Sequence, residues 1–315
     1  MPPQFSTETL TSPARATLVD CKELFDAKPR PGAMSLWSLL RRMKHGGDKW
    51  RERLIDMDMH FSCTQCGKCC RDTKIPLTVA EAIKWLKRGD EVQLLCEASP
   101  WPEALDGEPR AAHFKRRSFA VMSGSMPTRV VVMLVANVVG ACPNLLTDNR
   151  CGIYEDRPLV CRIYPAEINP FVAFKTENKA CPPEAWSRDR PVFKIGGVLM
   201  DDVIRQDIEM SRAADVLDAD LKSRLCLALN VVDTALVHEA VLVYSPTAET
   251  LLSALSTAIS TNPCQERAAQ WRFVSDQPET IANLAKSGGI ALHLRDAEAA
   301  SFQHLGFKRE AIFAG

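Results

Sequence analysis

Four cysteines fall inside eight residues, in the run FSCTQCGKCC at Phe61–Cys70. No other feature restricts this chain so strongly. Cysteines at that density cannot all be buried as small hydrophobes, because neighbouring side chains diverge. The chain has 12 cysteines, and nine lie between Cys63 and Cys181. In a reducing compartment such clustering favours metal binding over disulfides. Cys21, Cys96, Cys226 and Cys264 stand alone and read as ordinary thiols. Cys96 sits in VQLLCEA, whose apolar content reads as helical.

Spacing carries the chemistry. Cys63-x-x-Cys66-Gly67 places two thiolates on one tight turn. A glycine after the second cysteine accepts a left-handed conformation and lets backbone N–H groups point at sulfur. Cys63, Cys66 and Cys69 have the C-x2-C-x2-C spacing of ferredoxin-type clusters. Cys70 points elsewhere, toward a second metal position or a second site. A second group follows in CPNLLTDNRCGIYEDRPLVCRIYP, with Cys142, Cys151 and Cys161, and Cys151-Gly152 repeats the Cys-Gly pairing. Cys181 is an eighth candidate. Thiolates accumulate negative charge, and Arg157 and Arg162 near Cys161 are candidates to offset it and to donate hydrogen bonds to sulfur.

These motifs resemble the YkgJ-like CxxCxxCC cysteine-cluster proteins, a family described as zinc- or iron-chelating that includes flagellin lysine N-methylases. The resemblance covers residues 59–185. It implies a ligand set of Cys63, Cys66, Cys69, Cys70, Cys142, Cys151, Cys161 and Cys181. It also implies an iron–sulfur cluster, chiefly of the 4Fe-4S type, or zinc as cofactor.

The remaining candidates are weaker. His60, three residues before Cys63, reads as a packed or surface histidine. Glu155 and Asp156 read as a solvated turn. Tyr154 and Tyr164 flank Cys161 and are expected to shield the site. Neither a G-x-G-x-x-G nor a G-x-x-x-x-G-K-[ST] loop is present, so dinucleotide and P-loop nucleotide sites are unsupported. The C-terminal IALHLRDAEAASFQHLGFKR has only a superficial strand-helix likeness to acetyltransferases.

The expected fold class is α+β: a small loop-rich, metal-organised cysteine module, then a C-terminal α/β region. Residues 1–34 read as a flexible arm, 35–58 as a helical lead-in, 59–191 as the cysteine module and 192–315 as the helical and α/β region. Within the module, Thr78 and Glu81 form a capping box for a helix ended by Gly89. The runs SFAVM and RVVVMLVANVV form a hairpin. Residues 198–235 read as one or two helices. Strands AVLVYS, WRFVS and IALHL then alternate with helices starting near Pro246, at Asp276 with Glu279, and over Asp296–Gly306.

Lys plus Arg and Asp plus Glu both number 39, so no bulk charge draws the chain to nucleic acid or anionic lipid. The longest apolar run, Val130–Ala136, is far short of the ~20 residues that span a bilayer. The expectation is a cytoplasmic protein with a protein partner or protein substrate. Three functions compete: a redox iron–sulfur protein, a cluster-assisted protein lysine N-methylase, and a structural zinc module that binds a partner.

Overall fold

A computed structural model describes residues 58–102, 108–261, 269–297 and 301–307. The expected arm, nearly all of the helical lead-in, Cys21 and Cys264 lie outside the described residues.

The fold is α+β, and its spine is one long strand. Strand β5 (Met126–Ala141) holds the run of Val, Met and Leu that the sequence marks as most apolar. It pairs along one edge with β3 (Val92–Pro100), from Val92↔Ala136 to Pro100↔Thr128. Its other edge is divided between β4 (Phe119–Ser123), which forms the expected hairpin, and β2 (Arg71–Leu77). All these pairings are antiparallel.

Side-chain alternation sorts this sheet into two faces. Leu94, Cys96, Val130, Val132, Leu134 and Ala136 point into the main core. Leu95 and Val135 point the other way, into a smaller cluster with Val241 and Val243. The main core is covered by helices α1 (Val79–Lys87), α4 (Asp202–Ala228) and α5 (Ala248–Ser260), which contribute Trp85, Leu225 and Leu251. Two shorter helices, α2 (Pro109–Arg116) and α3 (Leu159–Ile163), lie between β3 and α4 in the chain.

The α1 start is the capping box expected from the sequence. Thr78 Oγ1 accepts from the Glu81 N–H at 3.2 Å, and Glu81 Oε2 accepts from the Thr78 N–H at 2.9 Å. Gly89, with φ 88°, follows the helix end. Within residues 198–235 the expected helix is the single long α4, Asp202–Ala228, which follows the short strands β6 (Val192–Ile195) and β7 (Val198–Leu199). Strand β6 also pairs with β1 (Asp58–His60) in a small separate sheet.

Three local expectations are corrected. Cys96 lies in strand β3, not in a helix: its neighbours alternate between two buried faces, and burial on both faces removes the polar positions that mark a strand. Helix α6 (Pro278–Lys286) is capped by Gln277, one residue after the expected Asp276, and Ser275 Oγ accepts the Gln277 N–H at 2.9 Å. The stretch after β11 (Ala291–His293) is not a helix through Gly306. Gln303–Gly306 is strand β12, antiparallel to β9 (Ala240–Tyr244), because Phe302 and Leu305 bury against β9 and its flanks.

The sheet also runs through the boundary expected at residues 191/192. β3 pairs with β9 at Leu94–Cys96 and with β8 (Asp233–Leu236) at Glu97 and Ala98. β8 continues to β10 (Arg272–Ser275) and β11, all parallel. One nine-stranded sheet therefore joins the cysteine module to the C-terminal region. β3 supplies the edge on which β8 and β9 of the tail pair. Among the described residues, no helix is long and apolar enough to cross a membrane.

Shared pairing has a measurable consequence. Leu94 is fully buried and sits opposite both Leu134 and Tyr244. Leu94→Ala is expected to destabilise the fold by about 2–5 kcal/mol. Hydrogen exchange in that variant should speed up in β5 and β9 together; loss of protection in β5 alone would restore a boundary between them.

Candidate metal centre

The β2–β5 ladder ends at the cysteines. Arg71 pairs with Ala141, and the next bond outward runs from the Cys142 N–H to the Cys70 carbonyl at 2.8 Å. Cys70 ends a short 3-10 turn (Lys68–Cys70), and Cys142 begins the loop that follows β5. Two segments some seventy residues apart thus leave the same end of the sheet side by side.

Each segment then turns back. After Cys142 the chain forms a tight hairpin in which Leu145 bridges Cys151, and Leu146 and Gly152 donate to the Arg150 and Asn144 carbonyls. Before Cys70, Gln65 and Gly67 both adopt positive φ, 54° and 68°. The Gln65 N–H points at Cys63 Sγ from 3.4 Å. Gly67 matters for a second reason. A Cβ there would lie 3.1 Å from Leu145 Cδ1 and 3.2 Å from the Asn149 carbonyl oxygen. The two cysteine loops are packed against each other at this glycine. Gly152 instead has ordinary φ, and its missing side chain lets the hairpin close over Leu146 and the Asn144 carbonyl.

Cys161 is carried by α3, a helix of barely one turn. Such a helix has no stability of its own. It is held from both sides. Its Leu159 N–H donates to Glu81 Oε1 at 2.8 Å, so one glutamate caps α1 with one oxygen and fixes α3 with the other. Arg162 Nη2 lies 2.6 Å from Asp207 of α4, a carboxylate that is almost wholly buried. Cys181 arrives on a loop stitched by Ser62 N–H to the Ala185 carbonyl and by Phe61 N–H to the Pro191 carbonyl, both 3.0 Å. Tyr164 Oη accepts from the Ala180 N–H at 2.7 Å, and its hydroxyl beside Cys181 works against the rise that burial gives that thiol.

All eight sequence-selected cysteines line one solvent-open cavity of about 370 Å³. Tyr154, Tyr164 and Arg157 line it as well. Arg157 stacks on Tyr154, 3.6 Å from the ring centre, and donates to the Tyr154 carbonyl at 2.7 Å. Its charge acts on Cys70 and Cys161. Arg162 is not on the cavity wall; it lines a separate cleft with Glu155 and Asp156. His60 Nδ1–H donates to the Arg190 carbonyl at 2.7 Å. Cys96 and Cys226 are fully buried in the core, apart from the cavity lining, and Cys226 acts on the Cys96 thiol there. Sequence reading missed Glu81 and Asp207 as the residues that position Cys161, because neither lies near a cysteine in the chain.

Electrostatics shows the thiols crowding one another. Burial pushes Cys161 up to about 12, and the neighbouring Cys70 and Cys142 add to the push, while Arg157 opposes it. Burial raises Cys142 and Cys181 too. Cys69 and Cys70 sulfurs are 4.0 Å apart; the shared hydrogen bond lowers Cys69 and raises Cys70. Ionising several of these thiols together costs energy that a cationic centre would remove.

The donor set fits a metal group. Eight thiols face one space, and Thr64 Oγ1, on the cavity wall between Cys63 and Cys66, is buried without a hydrogen-bond partner. Among the described residues, no three ligand-type side chains converge tightly enough to hold a single ion as they stand. The thiols ring a volume rather than a point.

Residues 62–182 match the model of the CxxCxxCC family, described as a putative zinc- or iron-chelating domain. The match begins just before Cys63 and ends just after Cys181, so it spans all eight cavity-lining cysteines. No curated protein and no solved structure matches the chain.

Gly67 offers a direct test of this geometry. Gly67→Ala forces a side chain into the left-handed region, at roughly 1–2 kcal/mol, and pushes on the 145–149 loop. The expected outcome is a lower denaturant midpoint together with reduced bound metal. Gly140→Ala, with similar φ and open space around it, should lose stability without losing metal.

Proposed function

We propose that this chain is an electron-handling protein whose cysteine-lined cavity holds iron–sulfur chemistry. One observation carries the reading: eight thiols line a single cavity of about 370 Å³, twice the number that one tetrahedral zinc ion takes. A tetrahedral zinc site needs four sulfurs ~2.3 Å from a single centre. A cluster is a body with its ligands on the outside. The spacing Cys63, Cys66, Cys69 suits it.

When bound, the cluster supplies one-electron transfer at a potential set by hydrogen bonds to sulfur, net charge and exposure. The chain's own groups address each of these. The Gln65 N–H points at Cys63, and the Tyr164 hydroxyl lowers the thiol of Cys181. Asn144 Nδ2 lies 4.0 Å from Cys142 Sγ. Arg157 brings positive charge to the inner wall and covers Tyr154. Cys63 and Cys69 remain exposed at the rim, which suits electron exchange with a docked protein partner.

The two Cys-Gly turns favour a second reading, a structural zinc module. Purification without oxygen, followed by metal and acid-labile sulfide analysis, separates the two. Brown protein with iron and sulfide in equal amounts, bleached by dithionite, is expected. Colourless protein carrying zinc and no sulfide would sink the redox reading. Cys66→Ser should reduce the iron content, whereas Cys226→Ser should leave it unchanged.

A further inference from the structure

We infer that the eight thiols form two separate four-thiol sites, an inner one made of Cys70, Cys142, Cys151 and Cys161 and an outer one made of Cys63, Cys66, Cys69 and Cys181. The inference rests on the metal-thiolate reading above and goes beyond it, from one cluster to two centres in one cavity.

The backbone divides them first. The inner four are fixed to the end of the large sheet. Cys70 and Cys142 are joined by the hydrogen bond that closes the β2–β5 ladder, and Cys151 lies across the hairpin from Leu145, three residues beyond Cys142. Cys161 comes in on α3, anchored by Glu81 and Asp207. Cys70, Cys142 and Cys161 all pack against the main core together with Leu145 and Val160.

The outer four are held differently. Cys63, Cys66 and Cys69 share one turn outside the sheet, and the bonds of Phe61 and Ser62 to the 185–191 segment carry Cys181 to that turn. None of these four packs against the main core, and Cys63 and Cys69 are exposed. Adjacent residues therefore part company at Cys69 and Cys70: one faces the rim, the other the core.

Charge contacts follow the same division. Cys161 faces Cys70, Cys142 and Cys151, and Cys142 faces Cys70 and Cys151. Cys181 faces Cys63 and Cys66, and Cys69 faces Cys181 and Cys63. The sets touch where Cys69 meets Cys70, sulfur to sulfur at 4.0 Å, and where Cys69 feels Cys161.

The sequence repeats itself across the division. Each set contains one Cys-Gly pair, Cys66-Gly67 outside and Cys151-Gly152 inside. Each contains one Cys-Pro pair, Cys181-Pro182 outside and Cys142-Pro143 inside. In ferredoxin-type runs, three closely spaced cysteines are completed by a distant cysteine followed by proline. The outer set has that composition, with Cys181-Pro182 as its distant member.

Iron and sulfide counts on the anaerobically purified full chain decide the matter. Two four-iron clusters give about eight iron atoms per chain. The double variants Cys142→Ser/Cys161→Ser and Cys63→Ser/Cys181→Ser should each keep about four. The reduced wild-type protein should show an electron paramagnetic resonance spectrum broadened by coupling between two neighbouring centres, a readout that does not depend on any variant folding. About four iron atoms per chain with an unbroadened signal would overturn the division and leave the iron–sulfur reading intact. Either double variant emptying the chain while remaining folded would overturn it too. Two zinc ions per chain would support the division and sink the redox reading; one zinc ion per chain would sink both.

Discussion

The hydrogen bond from the Cys142 N–H to the Cys70 carbonyl is the constraint on which the cavity depends. It is the last rung of a ladder, not an isolated contact. Behind it, β2 and β5 pair from Leu77↔Leu134 outward, and β5 is fixed in register by β3 on its far edge. A one-residue slip of β5 would exchange Val132, Leu134 and Ala136 for Val131, Met133 and Val135 on the core face. It would also separate Cys70 from Cys142. The apolar core and the thiol site are therefore set by one register.

Around that rung, polar groups join elements that the sheet does not reach. Glu81 links the start of α1 to the start of α3, and Arg162 with Asp207 links α3 to α4. Neither tie requires a metal. Asp207 is almost wholly buried, so removing Arg162 would leave a carboxylate without its counter-charge in a low-dielectric setting. Arg162 thus serves the site indirectly, by holding the helix that carries Cys161. Arg157, four residues before Cys161 in the chain, serves it directly through its charge.

Much of the site was legible in the sequence and less of the fold. Cysteine spacing marks all eight cavity thiols, because thiolate chemistry needs residue types that few other roles require. The Thr78–Glu81 box is legible because both partners lie within one turn. Cys96 was misread as helical because β3 is buried on both faces and loses its alternation. β12 reads as helix because its partner, β9, lies some sixty residues upstream, and no local pattern reports such pairing. The boundary at 191/192 follows the end of the clustered cysteines and the strand-helix alternation of the tail, neither of which registers that β8 and β9 complete the sheet begun by β3. The second oxygen of Glu81 was invisible for the same reason: its partner, Leu159, is 78 residues away.

The difference in support between the two halves of the cavity follows from these attachments. The inner cysteines inherit their positions from the sheet, the core and the anchored ends of α3, all built from bonds and packing within the chain. The outer cysteines sit on a turn with two positive-φ residues and on a loop held by a few backbone hydrogen bonds. Chain entropy opposes that arrangement, and little apolar burial offsets it. Bound metal has most to contribute there, since coordination replaces the packing that the outer segment lacks. The core under β5 needs no such help. On the reading proposed above, metal organises the loops at one end of a sheet held by its own core, and the sheet in turn decides which thiols the metal meets.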